Sequence, residues 1–138
     1  MRPHERQWDV DPRNLEAAIW LLLAVDAAAD KPPGTPATLD KVVAAADGIN
    51  HAVMLFEEFA VGFGILTSHR LVDWDGGGIM VTTAGADLLA KTAARSWHTH
   101  WERLRPVLGG LPSERPATPS PVPASVFDQA VDDYLRSA

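Results

Sequence analysis

The segment from residue 56 to residue 89 reads FEEFAVGFGILTSHRLVDWDGGGIMVTTAGADLL, and its apolar pattern changes half-way along. In its first part, apolar residues recur three and four positions apart, which is the spacing of one helical face. This spacing predicts a helix from about Met54 to Ser68. The residues that form its apolar face are Phe56, Phe59, Ala60, Phe63 and Leu66.

The second part of the segment contains two short runs of β-forming residues around a cluster of glycines. The runs are Leu71–Asp75 and Ile79–Thr83, and Gly76–Gly78 lie between them. Two such runs around a glycine turn predict a β-hairpin.

Helical spacing returns after the hairpin. Thr83 or Thr82 is the expected N-cap of this helix, because a side-chain hydroxyl there accepts a bond from a free backbone N–H. The pattern resumes or continues toward Leu104, and Pro106 is expected to end or kink the helix. The residues expected on the inner side are Leu88, Leu89, Ala90, Trp97, Trp101 and Leu104.

Two helices are predicted before this segment. The first begins at Asp11 or Asn14 and is apolar nearly all round, so we expect it to be the central buried helix. A proline-rich stretch then ends it. The second is expected to be capped by Thr38 and closed by Gly48 and Asn50. Its predicted inner stripe is Leu39, Val42, Val43 and Ala46.

The C-terminal part of the chain separates into a linker and a last helix. Residues 111–124 contain five prolines and no apolar period, which is typical of an extended linker. Ser125 is the expected N-cap of the helix that follows. Its predicted apolar face consists of Val126 or Phe127, Ala130, Val131, Tyr134 and Leu135.

Two short motifs flank the hairpin. Residues 68–72, SHRLV, lead from a helix into the first strand, and residues 81–85, VTTAG, lead from the second strand into a helix. In these motifs and in the order of its elements, the chain resembles the winged helix-turn-helix superfamily of bacterial regulators, with Thr83 where the common pattern has proline. The resemblance covers about residues 14–94. It implies that the helix over 54–68 is the recognition helix and that Gly76–Gly78 form the wing tip.

The predicted fold class is mainly α with a small β-hairpin (α+β), a winged helix with added C-terminal helices. The expected organisation begins with an N-terminal arm over residues 1–13 and a winged-helix domain over residues 14–95. An additional helix over residues 96–110 follows. A proline-rich linker over residues 111–124 and an amphipathic helix over residues 125–138 complete it.

Composition narrows the possible functions. The 138 residues include 12 Lys and Arg against 18 Asp and Glu, a formal net charge of -6, which argues against a surface built wholly for nucleic acid. The chain has no cysteine, so disulfides, thiolate catalysis and Cys-ligated zinc are excluded. The longest apolar run, Ala17–Val25, is far shorter than the roughly 20 residues of a membrane span. We therefore expect a cytoplasmic protein.

The predicted recognition helix lacks the cations that approach DNA. No Lys or Arg occurs from Asn50 to Ser68, and two aspartates flank the glycines of the wing. Recognition helices read base edges with Arg, Lys, Asn or Gln and must come close to a polyanion. We therefore predict an interaction or regulatory module that binds protein. Its expected interaction surface is Glu57, Val61, Gly64, Ile65, Trp97 and Trp101.

The alternative prediction is a DNA-binding transcriptional regulator with atypical contacts. Its nucleic-acid contacts would be Arg70, Arg95, Arg103 and Arg105. From His69 to Gly110 the chain has five Lys or Arg and four Asp or Glu, which leaves a local charge of only +1. A ligand-binding protein or an enzyme is the third possibility.

The sequence WHTHWE at residues 97–102 raises the question of a metal site. His98 and Glu102 share a helical face, but His100 points about 160° away from His98, and a catalytic zinc needs three protein ligands. We therefore expect no metal, no cofactor and no enzymatic activity. Trp97 and Trp101 are expected to form a buried stripe, with the histidines in solvent.

The tryptophans beyond the minimal fold predict assembly. Trp97–Leu108 lie outside the residues that close a winged-helix core, and large aromatic side chains there indicate a surface to be covered. We expect a homodimer that buries this segment and the helix over 126–135. The linker allows that helix to dock on its own domain or on a neighbour. Gly62 and Gly64, inside a helix, are expected to mark close packing.

Overall fold

A computed structural model of the chain describes residues 12–29, 35–111 and 121–137. These ranges form six helices and one two-stranded antiparallel hairpin, so the prediction of a mainly α protein with a small β-hairpin is confirmed. The predicted arm and linker lie mostly outside the described residues. In chain order the elements are α1 (Pro12–Ala28), α2 (Leu39–Asn50), α3 (Phe56–Ser68), β1 (Val72–Trp74), β2 (Ile79–Val81), α4 (Thr83–Thr92), α5 (Trp97–Gly109) and α6 (Ala124–Ser137).

Helix α1 is the centre of the molecule, as its all-round apolar sequence predicts. Every residue from Ala17 to Val25 is buried, and α2, α3, α5 and β2 pack around it. The indole Nε1–H of Trp20 donates to the carbonyl oxygen of Ala46 at 2.9 Å, so the one polar atom of this buried side chain has a partner. The helix begins at Pro12, where a proline costs no intrahelical hydrogen bond.

Gly62 of α3 lies directly against the backbone of α1. A Cβ added at Gly62 would stand 2.8 Å from the carbonyl oxygen of Ala17 and 3.3 Å from the Cα of Ala18. The absence of a side chain therefore allows the two helices to approach closely, and the expectation of close packing at this glycine is confirmed.

Helix α2 has the predicted inner stripe, but its ends differ from the prediction. Leu39, Val42, Val43 and Ala46 are buried. Thr38 occupies the N-cap position with extended backbone, yet its side chain makes no capping hydrogen bond. Gly48 lies within the helix, which closes at His51 in the left-handed conformation with φ 54°.

Helix α3 begins two residues later than predicted. Its start is held by Glu58, whose Oε1 accepts the backbone N–H of Leu55 at 2.9 Å. Phe59, Phe63 and Leu66 are buried as expected, whereas Phe56 is only half-buried.

The hairpin is confirmed and is tied to the segment before α2 by two backbone hydrogen bonds. Its register pairs Val72 with Val81 and Trp74 with Ile79, and the turn contains Gly76 with φ 92°, a conformation that favours glycine. Backbone hydrogen bonds of 2.8 and 2.9 Å join Ile79 to Ala37 in the connection before α2. The hairpin is therefore held beside α2.

Three details of the prediction for α4 and α5 are decided by the structure. Thr82, rather than Thr83, caps α4, and its Oγ1 accepts the backbone N–H of Gly85 at 3.1 Å. Ala90, expected inside, is exposed because only the Leu89 side of this short helix faces the core. Pro106 does not end α5, which continues to Gly109. Pro106 is exposed and has no backbone N–H to donate to the preceding turn.

Helix α6 docks on its own chain. Its buried anchor is Phe127, which is 1% exposed, whereas Val126 is 48% exposed. The ring centroid of Phe127 lies 4.8 Å from that of Phe59 and 6.0 Å from that of Phe56. Leu135, expected on the apolar face, is 52% exposed. The choice between the two candidate anchors is thus settled for Phe127.

Polar contacts also hold α6, at its start and near its end. The helix begins at Ala124, and the carbonyl oxygen of Pro123 accepts the N–H groups of Val126 and Phe127, both at 3.1 Å. Ser125 is therefore inside the helix, and its predicted N-cap role is wrong. Tyr134 donates its phenolic hydrogen to Asp47 Oδ2 at 2.6 Å, which joins α6 to α2 and raises the pKa of the phenol.

We predict opposite effects of adding one methyl group at two helical glycines. Gly62→Ala should lower the free energy of unfolding by about 1–3 kcal/mol, because the methyl would overlap the α1 backbone. Gly48→Ala is the matched control, since nothing lies within 4 Å of its added Cβ, and should raise it by about 0.5–1 kcal/mol. Urea unfolding followed by circular dichroism measures both. Equal effects at the two positions would contradict the close contact between α1 and α3.

Candidate functional site

Trp101 of α5 is a half-buried indole held in one orientation by a polar network. Its Nε1–H donates to Glu16 Oε2 of α1 at 2.8 Å. The other oxygen of Glu16 accepts the Nε–H of Arg105 at 3.1 Å, and the Arg105 guanidinium also pairs with Glu102 at 2.6 Å. These pairings raise the pKa of Arg105, and the hydrogen bond from Arg105 lowers the pKa of Glu102. The network therefore fixes the ring between the two helices.

A cavity of about 480 Å³ opens on one side of this ring, and we name it the Trp101 cleft. It lies where the start of α1, the end of α2, the start of α3 and α5 meet. Trp20, Val61 and Trp101 supply apolar walls, and Arg13, Glu57 and Glu58 stand at its rim.

The rim carboxylates of the Trp101 cleft differ in their partners. Glu58 accepts the N–H of Leu55 and so has a structural role at the start of α3. Glu57 is exposed and has no hydrogen bond or ion pair within residues 12–29, 35–111 and 121–137. Both lie in the first turn of α3, where a negative charge is favoured by the helix dipole.

A second cleft of about 310 Å³ also has Trp101 and Glu16 in its lining. Its other lining residues include Trp97, His98, Glu102 and Arg105. Glu102 and Arg105 are already paired with each other, so this cleft offers a compensated ion pair rather than free carboxylates. The two clefts beside Trp101 therefore differ in their charged groups.

The structure assembles part of the predicted interaction surface. Glu57, Val61 and Trp101 line the Trp101 cleft, and Trp97 lies on the second cleft. Gly64 is buried, so its expected place on the outer face of α3 is wrong, and Ile65 is half-buried. The reason is that α3 is enclosed on more sides than the spacing of its phenylalanines indicates.

The expected burial on α5 is also corrected. Trp97 is 43% exposed, whereas His100 is 7% exposed. The buried stripe is His100, Leu104 and Leu108, so the prediction of a tryptophan stripe with solvated histidines is wrong for Trp97 and for His100. Trp101 stands at the edge of this stripe.

Sequence reasoning missed Glu16 and Arg13 and assigned Trp20 to the core alone. Glu16 and Arg105 are 89 positions apart, so no local spacing relates them. The one available signal was a charged residue at the start of an otherwise apolar helix.

The four arginines of the alternative prediction are not gathered on one face. Arg70 is exposed at the corner between α3 and β1, with φ 58°. Arg95 and Arg103 line a shallow cleft at the start of α5, where Arg103 donates to the carbonyl oxygen of Ala93. Arg105 is engaged with Glu16 and Glu102.

His100 belongs to a separate buried polar cluster. Its Nε2 lies 3.0 Å from Oγ1 of Thr92, which itself donates to the carbonyl oxygen of Leu88 at 2.9 Å. Because a hydroxyl has one proton to donate, Nε2 is assigned as the donor to Thr92. Burial lowers the pKa of His100, attraction to Asp26 opposes this shift, and repulsion from Arg103 adds to it.

Neither a group of metal ligands nor a membrane-spanning helix occurs among the described residues. Residues 12–29, 35–111 and 121–137 contain no group of three His, Asp or Glu side chains arranged to hold a metal ion. Within the same ranges, none of the helices combines the length and apolar character that crossing a membrane requires.

Comparison with protein-family models found no match, and comparisons with curated proteins and with solved structures found no significant match. The function proposed for this protein therefore rests on the geometry of its own chain.

The His100 cluster predicts a pH-dependent stability. The unfolded chain protonates this imidazole near its ordinary pKa of 6.5, whereas the folded chain resists protonation, so the free energy of unfolding should fall as the pH decreases from about 7.5 to about 5.5. Asp26, whose pKa burial raises from 3.8, acts in the opposite sense and at lower pH.

Urea unfolding of the protein and of the His100→Gln and His98→Gln variants at several pH values measures this dependence. His98 is exposed, so His98→Gln is the control and should keep the pH dependence of the unsubstituted chain, whereas His100→Gln should lose much of it. A His100→Gln variant with an unchanged pH dependence would refute the assignment.

Proposed function

We propose that this protein is a winged-helix type interaction or regulatory module that does not bind DNA through α3. The observation that carries the proposal is the buried position of Phe127, which packs α6 against α2 and α3. These are the two helices of the helix-turn-helix unit in the winged-helix interpretation.

The order of elements supports the winged-helix interpretation. Three helices precede the hairpin and one follows directly, as the resemblance implies. The backbone bonds between Ala37 and Ile79 hold the hairpin beside α2, in the manner of a wing. The turn at Gly76–Gly78 is the wing tip in this interpretation.

The position of α6 argues against DNA contact through these helices. Phe127 packs on Phe56 and Phe59 of the apolar face, so α6 lies beside the start of α3. Because the start of α2, the hairpin turn and α6 line one cleft, α6 also lies near the hairpin turn. A duplex would therefore meet α6 before it met α2.

The negative charge of α6 and α3 also argues against DNA contact through these helices. The exposed residues of α6 include Asp128, Asp132 and Asp133 against Arg136, and α3 adds Glu57 with no Lys or Arg of its own. Phosphate binding depends on cations that displace counterions. An acidic surface with nearby exposed apolar side chains is better suited to a protein partner.

The alternative function is a DNA-binding regulator that uses basic residues elsewhere. Arg70, Arg95 and Arg103 are exposed and are its best candidates. Arg105 is a weaker candidate because Glu16 and Glu102 already share its charge. A cytoplasmic location and the lack of enzymatic activity stay predictions.

We predict that the protein binds duplex DNA no more tightly than about 10⁻⁵ M at physiological salt, because α3 has no cation to contact phosphates. Fluorescence anisotropy with a labelled mixed-sequence duplex, at low and physiological salt, measures the affinity. Immobilised heparin provides a second polyanion.

Two variants test whether weak DNA binding results from the position of α6 or from the lack of cations on α3. Phe127→Ala should loosen α6 without creating DNA affinity, and Val126→Ala, at the exposed neighbouring position, is the matched control. DNA binding gained only by Phe127→Ala would show that α6 masks a functional DNA surface. A nanomolar, sequence-specific complex of the unsubstituted chain would favour the alternative regulator.

We further propose that the protein is a homodimer, and the structure narrows the surface available for it. Phe127 and Ala130 are buried within one chain, as are Leu104 and Leu108, so these residues are already covered without a partner. Trp97 and Val107 of α5 stay exposed, at 43% and 39%. An exposed tryptophan beside other apolar side chains is a common anchor of an interface.

The dimer is tested by sedimentation equilibrium of the intact chain at tens of micromolar. Trp97→Ser should weaken association by about tenfold or more, in line with the loss of an interface tryptophan. Leu135→Ser on α6 is the control for loss of an exposed apolar side chain. A strictly monomeric intact chain would refute the dimer.

A further inference from the structure

We propose that the Trp101 cleft is a binding site for a small organic cation, one whose positive charge is attached to an apolar body. The site shares Glu57, Val61 and Trp101 with the predicted interaction surface, but the inference does not depend on a protein partner. It combines an aromatic wall in a fixed orientation, an apolar interior and a rim with two carboxylates beside one basic residue, Arg13.

The aromatic wall is preorganised. The hydrogen bond of 2.8 Å from Trp101 to Glu16 and the attachment of Glu16 to Arg105 hold the indole in place before any ligand arrives. A tryptophan face attracts a cation more strongly than any other aromatic side chain. Because the ring is already oriented, binding does not have to order it.

The interior of the cleft suits the apolar body of the ligand. Val61 and Trp20 lie with Trp101 around a volume of about 480 Å³. Ligand pockets commonly have volumes of about 300–1,000 Å³ and are lined mainly by apolar and aromatic side chains. The cleft therefore accepts a ligand the size of an aryl or branched alkyl ammonium ion.

The rim supplies the negative charge. Glu57 has no partner among the described residues, and Glu58 retains one carboxylate oxygen beyond the bond to Leu55. Arg13 is the basic residue in the lining, and it already takes part in an interaction of its own. The rim is therefore suited to a cation and unfavourable for an anion.

The second cleft is the internal comparison. Its lining contains Arg105 paired with Glu102, and a cation there would be repelled by the guanidinium. The proposal therefore assigns the ligand to the Trp101 cleft, which Glu57 lines, and not to the second cleft.

The experiment is a titration of the full chain with benzyltrimethylammonium, followed by the indole N–H signals in proton–nitrogen NMR spectra. The Trp101 signal is assigned by its absence from the Trp101→Phe variant. We expect the Trp101 signal to shift with a dissociation constant in the millimolar range or tighter, as is usual for a ligand of this size. Benzyl alcohol, which keeps the ring and lacks the charge, should shift it far less.

Two charge-removing variants locate the site. Glu57→Gln should weaken binding by about 2- to 5-fold, the usual effect of one exposed charge pair. Asp87→Asn removes one exposed charge on α4, outside the lining of the Trp101 cleft, so it should leave the affinity unchanged.

Each outcome decides for or against the site. A shift of Trp101 that requires the charge of the probe and is weakened by Glu57→Gln alone supports it. No shift at saturating probe, equal binding of benzyl alcohol, or equal weakening by Asp87→Asn and Glu57→Gln overturns it. The spectra of the variants without probe show whether each is folded.

Discussion

The burial of α1 on all sides is the constraint on which the other contacts depend. A helix that is apolar all round has no solvent face, so each neighbouring element must present an apolar or small side to it. On α3, Gly62 has no side chain and so lets this helix approach the Ala17 carbonyl closely. On α2, the buried Val42 and Val43 provide the apolar side. The two ends of α1 reach the surface, and Arg13 and Glu16 of its first turns line the Trp101 cleft.

The sequence predicted the secondary elements well because their signals are local. Helical spacing located α3, and the glycines between two β-rich runs located the hairpin. It failed at Trp97 and His100, because residue type predicts burial only on average and the three-dimensional neighbours decide each case. The hydroxyl of Thr92, at the end of α4, gives the imidazole of His100 on α5 a buried partner, which no pattern in the sequence reveals.

The candidate site was predictable only in fragments. Glu57 and Val61 were selected for the outer face of α3 and Trp101 for the interaction surface of the added helix, and the three do line one cleft. Their neighbours Glu16 and Arg105 could not be connected, since the pair joins α1 to α5 across most of the chain. Contacts between distant residues depend on how the helices pack, and the amphipathic pattern of a single helix does not specify that packing.

Because Phe127 packs on residues that are synthesised much earlier, α6 can dock only late in the synthesis of the chain. Phe56 and Phe59 leave the ribosome about 70 residues before Phe127, which at ordinary translation rates corresponds to several seconds. During that interval the aromatic surface at the start of α3 lacks the cover that α6 provides. The nascent protein therefore passes through a stage in which this surface is open to chaperones or to other nascent chains, and the arrival of α6 closes it.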